Sequence, residues 1–260
     1  MQNLNKNSSI IQAAADEIIA AQYLTAFTGA GISVESGVPS FRGENGLWNT
    51  YDPSVLDIGY FKRYTEDSWK VIRKIFYDFF AKAKPNPAHI FLSELEKIGK
   101  LDLTITQNID NLHFDAGSKN VAEYHGNSRK LVCMKCGDTK EAEKIDLNIL
   151  PPKCSCSGVY KPDFVFFGEG IPSKAAQKAE EAARLTDVMI LIGTTGEVYP
   201  AAILPRMASR LGATIIEINP DYSGYTDEIT DLFIPLKAGE AAVLLHKALI
   251  EKGLNISQLQ

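Results

Sequence analysis

Apolar positions set the first expectations. From Ser9 to Gln22, Ile10, Ile11, Ala14, Ala15, Ile18 and Ile19 recur at three- and four-residue spacing, the signature of one helix face. Tyr23–Thr28 follows as a short apolar run ending on Gly29-Ala30-Gly31, so the order is helix, buried strand, glycine turn. Runs of strand length recur at Leu103–Thr106, Phe164–Phe167, Val188–Ile192, Thr214–Ile218 and Leu232–Pro235. Helical patterns lie between several of them, at Ala88–Lys97, Lys174–Leu185 and Ala201–Leu211. Buried strands alternating with amphipathic helices predict an α/β fold, a Rossmann-like parallel sheet with helices on both faces. Such sheets bind ligands at the C-terminal ends of their strands.

Two stretches break the alternation. Residues 43–87 are rich in aromatics (Trp48, Tyr51, Tyr60, Phe61, Tyr64, Trp69, Phe76, Tyr77, Phe79, Phe80) and partly helical in pattern, while residues 129–162 carry all four cysteines. We expect them to form one smaller module, a helical insertion plus a zinc ribbon, beside a main domain of residues 9–42, 88–128 and 163–252. Residues 1–8 and 255–260 are expected to be flexible ends.

Charge narrows the partners. Lys and Arg number 27 against 32 Asp and Glu, a net charge of −5, and no basic patch offsets it. Direct binding to nucleic acid or an anionic membrane is therefore not expected. The polar opening MQNLNKNSS is not a signal segment, and no apolar run approaches the ~20 residues that cross a bilayer. A soluble, cytoplasmic protein is expected.

In a reducing compartment, clustered cysteines suggest a metal before disulfides. Cys133-Met134-Lys135-Cys136 and Cys154-Ser155-Cys156 lie 17 residues apart and would bring two thiolate pairs onto one tetrahedral zinc. The second pair is CxC, tighter than the usual CxxC. A shell of four cysteines is closed, so such a zinc holds the fold and takes no part in catalysis.

Four polar tips follow predicted strands. Gly29-Ala30-Gly31-Ile32-Ser33 would let backbone N–H groups approach a pyrophosphate, although the third glycine of GxGxxG is absent and a ligand-free tight turn explains it equally. The loop Ser36–Gly43 adds Phe41 and Arg42, an aromatic and a guanidinium suited to phosphate or carboxylate, or else a core residue and a surface ion pair. Thr106-Gln107-Asn108-Ile109-Asp110 reads as a ligand site or as a helix cap. Gly193-Thr194-Thr195 and Ile218-Asn219-Pro220 complete the set on the same edge. His125, in Glu123-Tyr124-His125-Gly126, titrates where a general base is useful, and taken singly it is also an ordinary structural hydrogen-bonder.

Taken in order, GAGISVESGVPSFRG, TQNID, the His-Gly pair, the two cysteine pairs, KPDFVFFGE, GTTGEVYPAA and EINP resemble the sirtuins, NAD-dependent protein deacylases. The resemblance spans about residues 10–250. It implies that Gly29, Ala30, Gly31, Ile32, Ser33, Phe41 and Arg42 line an NAD pocket, and that Gln107, Asn108, Ile109 and Asp110 contact the nicotinamide and its ribose. Gly193, Thr194, Thr195 and Asn219 would hold the diphosphate and adenosine, with Ala238 near the adenine.

By the same resemblance His125 is the general base, aided by Asn108 and Asp110. The acyl-lysine carbonyl oxygen attacks the anomeric carbon, nicotinamide leaves, and the histidine then deprotonates a ribose hydroxyl. Products are deacylated lysine, nicotinamide and O-acyl-ADP-ribose. The acyl-lysine peptide would lie as a strand between Phe167-Gly168-Glu169 and Glu197-Val198-Tyr199. Relatives that prefer succinyl or malonyl chains carry Tyr-x-x-Arg in the small module. Here Tyr77 is followed by Phe80, which implies acetyl or longer neutral acyl groups. Mono-ADP-ribosyl transfer, a non-catalytic NAD or ADP-ribose sensor and a hydride-transfer dehydrogenase stand as alternatives.

Overall fold

The computed structural model describes residues 2–41, 46–257 and 259; the side chains of residues 2–7, 79 and 81 lie outside that description. Helix α1 (Gln2–Ala20) leads into β1 (Leu24–Thr28). After α2 (Ile58–Arg63), α3 (Thr65–Ile72) and α4 (Pro87–Lys97) come β2 (Leu101–Thr106), α5 (Leu112–Asp115) and β3 (Val121–Glu123). Three further strands, β4 (Gly126–Cys133), β5 (Thr139–Glu141) and β6 (Tyr160–Phe164), precede α6 (Ser173–Leu185) and β7 (Val188–Ile192). The chain closes with α7 (Ile203–Arg210), β8 (Thr214–Ile218), β9 (Leu232–Ile234) and α8 (Ala238–Glu251).

Six of these strands form one sheet in the order β3-β2-β1-β7-β8-β9, every pair parallel. Strand order reverses between β1 and β7, which opens a crevice beyond their C-terminal ends. Alternation along the strands builds two cores. Val188, Ile190 and Ile192 face α1, α4 and α8, whereas Met189 and Leu191 face α6 and α7. Each fully buried aliphatic side chain there contributes roughly 1.5–3 kcal/mol of transfer free energy. Helix α4 starts on an Asn86 cap with Pro87 in its first turn, and the Asn86 amide also donates to Ile32 O (2.7 Å) and Ser36 Oγ (3.0 Å). The same residue therefore starts a helix and holds the segment after β1 in place.

The two interrupting stretches share a third core. Strands β5-β4-β6 form a small antiparallel sheet whose Tyr160 and Phe164 pack with Phe61, Trp69 and Ile72 of α2 and α3. Trp69 Nε1 donates to Tyr160 O at 2.9 Å, and Phe61 meets Phe166 edge-on at 5.2 Å.

One expectation is corrected, and two features of the chain's ends stand beside it. The run Phe164–Phe167 is not a main-sheet strand: β6 ends at Phe164 in the small sheet, and Phe167 bonds Leu56 O and Ile58 N instead. Its apolar side chains serve the small core and the cleft. Residues 2–8 are helical, continuing α1 one turn and more beyond the apolar pattern. The C-terminal stretch is anchored, with Ile256 buried against the core and His246 Nε2 bonded to Ser257 O at 2.7 Å. Among the described residues no helix is long and apolar enough to cross a membrane.

Candidate active site

At the switch point the tips of β1 and β7 interlock through glycines. Gly29 N donates to Ile192 O (3.0 Å) and Gly31 N to Gly193 O (2.9 Å). A Cβ on Gly31 would stand 2.5 Å from Gly193 Cα, and Gly193 itself has φ +62°, so neither position has room for a side chain. The chain then turns through a short 3-10 helix, Ala30–Ser36. Beside this junction lies a cleft of about 540 Å³, bounded by the main sheet on one side and by Phe164–Glu169 and Ile171 on the other.

Polar side chains from neighbouring tips fix one another at its base. Gln107 Nε2 reaches Thr194 Oγ1 at 3.1 Å. Asn108 Nδ2 donates to Gly29 O (3.1 Å) and Ser33 Oγ (3.2 Å), and Ser33 Oγ donates onward to Asp110 Oδ2 (2.7 Å). Burial pushes the Asp110 carboxyl above its usual range, opposed by the bonds from Ser33 and from Leu112 N. Because Asn108 spends its amide nitrogen on protein acceptors, its carbonyl oxygen is the group left toward the cleft.

His125 also lines the cleft. Its Nδ1 lies 3.0 Å from Gln107 O. A carbonyl oxygen only accepts, so Nδ1 carries the proton and Nε2 holds the lone pair of a base. Burial lowers the His125 pKa below 6.5, partly offset by the bond to Gln107, so the ring is neutral near pH 7. Its own backbone carbonyl accepts from Val165 N (2.8 Å), which ties the His125 backbone to the opposite wall.

Deeper in the molecule His89 and His113 face each other at 5.1 Å. Desolvation lowers His113 to about 4, and desolvation with the neighbouring His113 lowers His89 to about 2. Both are structural: His113 Nε2 meets Thr28 Oγ1 at 2.9 Å, and His89 Nδ1 accepts from Asn86 N.

The four cysteine sulfurs lie within 4.8 Å of one another, all as free thiols. Contacts of 3.4, 3.5 and 3.7 Å link Cys136 with Cys156, Cys133 with Cys156, and Cys136 with Cys154. Four sulfurs at about 2.3 Å from a tetrahedral metal stand about 3.8 Å apart, a spacing close to these contacts, so the cluster suits one thiophilic ion.

Of the sequence-derived residues, the cleft is lined by Gly29, Ala30, Gly31, Phe41, Gln107, Asn108, Ile109, His125, Phe167, Gly168, Glu169, Gly193, Thr194, Thr195, Val198 and Asn219. Ile32, Ser33 and Asp110 are buried behind that wall, and Ala238 is buried at the start of α8. Tyr77 and Phe80 are in the small core, away from the cleft lining, with Tyr77 Oη donating to Ser128 O at 3.0 Å. Arg42 lies outside the described residues. Sequence reasoning missed Trp48, Phe164 and Phe166, whose apolar character read as core, and Asp221, Tyr222 and Ser223. The turn-rich stretch after the β8 tip was the available signal for the last three.

This arrangement of sheet, glycine junction and imidazole agrees with three comparisons. A family model described as Sir2 family matches residues 29–200. An NAD-dependent protein deacetylase of Sulfurisphaera tokodaii is 44% identical over 223 residues, covering 84% of this chain and 88% of that protein. An NAD-dependent protein deacylase of Thermococcus kodakarensis is 44% identical over 239 residues, covering 87% and 91%. Among solved structures, the ADP-ribose complex of a mutant Sir2 homologue matches with a TM-score of 0.88 at 38% identity, covering 94% of this chain and 99% of that one. A Sir2 structure with a p53 peptide and NAD+ gives 0.83 at 34% identity, covering 92% and 96%. The chain belongs to the Sir2 family.

Proposed function

We propose that this chain is an NAD-dependent protein-lysine deacylase that releases nicotinamide, deacylated lysine and O-acyl-ADP-ribose. One observation carries the reading: His125 presents an unprotonated Nε2 in the same cleft as the glycine junction, because Gln107 O occupies Nδ1. NAD bound there supplies an electrophilic anomeric carbon with nicotinamide as its leaving group. The Gly29–Gly31 turn and the Gly193–Thr195 tip both line the cleft, so a diphosphate there lies close to their backbone. Asn108, held by Gly29 O and Ser33, orients the nicotinamide ribose, and Ser33 and Asp110 support it from behind. His125 takes the proton of a ribose hydroxyl, a role that suits a neutral ring near pH 7.

The acyl-lysine peptide enters between Phe167–Glu169 and Val198–Tyr199, where Phe167 and Tyr199 are exposed. Strand-like pairing there reads backbone shape more than sequence, so many proteins qualify as substrates. Zinc is the metal best suited to the four thiolates, and a cytoplasmic setting keeps those thiols reduced.

The test is to incubate the purified protein with NAD and acetyl-, myristoyl- or succinyl-lysine peptides and to follow products by mass spectrometry. O-acyl-ADP-ribose with free lysine is expected. ADP-ribosylated protein without deacylation, or NADH formation, overturns the reading.

A further inference from the structure

Glu217 is fully buried on β8, where an unsatisfied carboxylate is costly. It accepts four hydrogen bonds. Oε1 receives Asn219 Nδ2 (3.0 Å) and Ser223 Oγ (2.5 Å), while Oε2 receives Thr226 Oγ1 (2.9 Å) and Thr230 Oγ1 (2.6 Å). Asn219 Nδ2 has a second acceptor, Thr194 O, at 3.0 Å. A carboxylate and a backbone carbonyl both only accept, so the side of the Asn219 amide that faces them must be nitrogen. Both of its hydrogens are then spent. Oδ1 alone remains to serve the cleft that Asn219 lines.

We propose that Glu217 is a positioning residue for dinucleotide binding. It locks Asn219 with the carbonyl oxygen available to the ligand, and through Ser223 it holds the adjoining rim, so this end of the cleft accepts a hydrogen bond from a sugar hydroxyl. The inference rests on the reading of the cleft as an NAD site. Without Glu217 only Thr194 O still fixes the amide, and whenever it turns over its nitrogen meets a hydroxyl whose own hydrogen has lost its acceptor.

The experiment uses the full chain as wild type, Glu217→Leu, Glu217→Gln, Asn219→Ala and the Glu217→Leu/Asn219→Ala double variant. ADP-ribose is titrated calorimetrically, and KM for NAD and kcat are measured on an acetyl-lysine peptide. Loss of one fixed hydrogen bond predicts a ~10-fold rise in Kd and in KM for NAD for Glu217→Leu, with kcat within about twofold. Glu217→Gln keeps an oxygen for Asn219 and should stay within about threefold. In the Asn219→Ala background, Glu217→Leu should add less than about twofold, because the residue it acts through is gone.

A full loss in that background, or a fall in kcat at unchanged KM, makes Glu217 a fold residue and overturns the proposal. Should the leucine variant not fold, Glu217→Asp, which withdraws the carboxylate by one methylene, carries the same expectations. Wild-type protein that binds no ADP-ribose removes the NAD reading and this inference together. Binding without deacylation removes only the deacylase reading.

Discussion

His125 is tethered through Nδ1 to the carbonyl oxygen of Gln107, 3.0 Å away, and this contact leaves Nε2 as the nitrogen able to take up a proton. His125→Ala should therefore lower kcat by about 10²–10⁴-fold, the usual contribution of a general base, while ADP-ribose still binds within a few-fold of wild type. Parallel turnover and calorimetry check this, and comparable rates in the two proteins remove His125 from its role. The acid limb of the rate profile should have its midpoint below pH 6.5, because burial favours the neutral ring and so keeps the base active at lower pH.

Stability should also fall with acid, through two histidines that do no chemistry. His113 titrates near 4 and His89 near 2 when folded, against 6.5 unfolded. Their contribution is thus complete above pH 6.5 and is lost as pH falls toward those folded values. For His113 alone the full change is roughly 3 kcal/mol. Urea unfolding across pH 4–7 should show this slope, and His113→Gln should flatten it. An unchanged slope in the variant rules out His113 as the source.

Gly31 and Gly193 should tolerate no enlargement. A methyl on Gly31 meets the Gly193 backbone at 2.5 Å, and overpacking of rigid backbone typically costs about 1–3 kcal/mol. Gly31→Ala should lower the melting temperature and weaken ADP-ribose binding at least ~10-fold, since the two strand tips must part. Gly37→Ala would strain a positive φ but meets no atom within 4 Å, so it should leave binding intact. Equal affinities for Gly31→Ala and wild type contradict the role given to the junction.

The acyl group should be neutral. Among the described residues that line the cleft there is no lysine or arginine, and the wall of Phe164–Glu169 and Ile171 carries only an acidic side chain, Glu169, among apolar ones. A succinyl carboxylate buried there lacks a partner, at a cost of several kcal/mol. Acetyl- and myristoyl-lysine peptides should turn over at least ~100-fold faster than succinyl. A succinyl preference measured by competition sinks this expectation.

One zinc per chain should be found by elemental analysis, and Cys154→Ser should lower both zinc content and melting temperature. The four sulfurs already stand within 4.8 Å of one another, so metal binding stabilises an arrangement the fold has gathered. Activity of the surviving folded fraction should keep its KM for NAD. Full metal occupancy in the serine variant argues against the fourth ligand.

Much of the main sheet was legible because its strands are buried on both faces. Val188–Ile192 and Thr214–Ile218 end where their apolar runs end. The small sheet was less so: β4 (Gly126–Cys133) mixes Asn127, Ser128, Arg129 and Lys130 with Leu131 and Val132, and its pairing is set by partners far along the chain. Phe164–Phe167 misled because an apolar run cannot say whether it faces a core or a ligand. For the site, the polar tips were readable from their place after strands. Glu217 was not, since a lone glutamate in an apolar strand shows its four donors only once residues 219–230 have folded back over it.

Strand β6 needs only five residues to run from Tyr160, beside the cysteine cluster, to Phe164 on the cleft wall, and Trp69 is bonded to its first carbonyl. Loss of the four-sulfur cluster would thus be felt at the Phe164 wall through one short strand, without any group inside the cleft being touched.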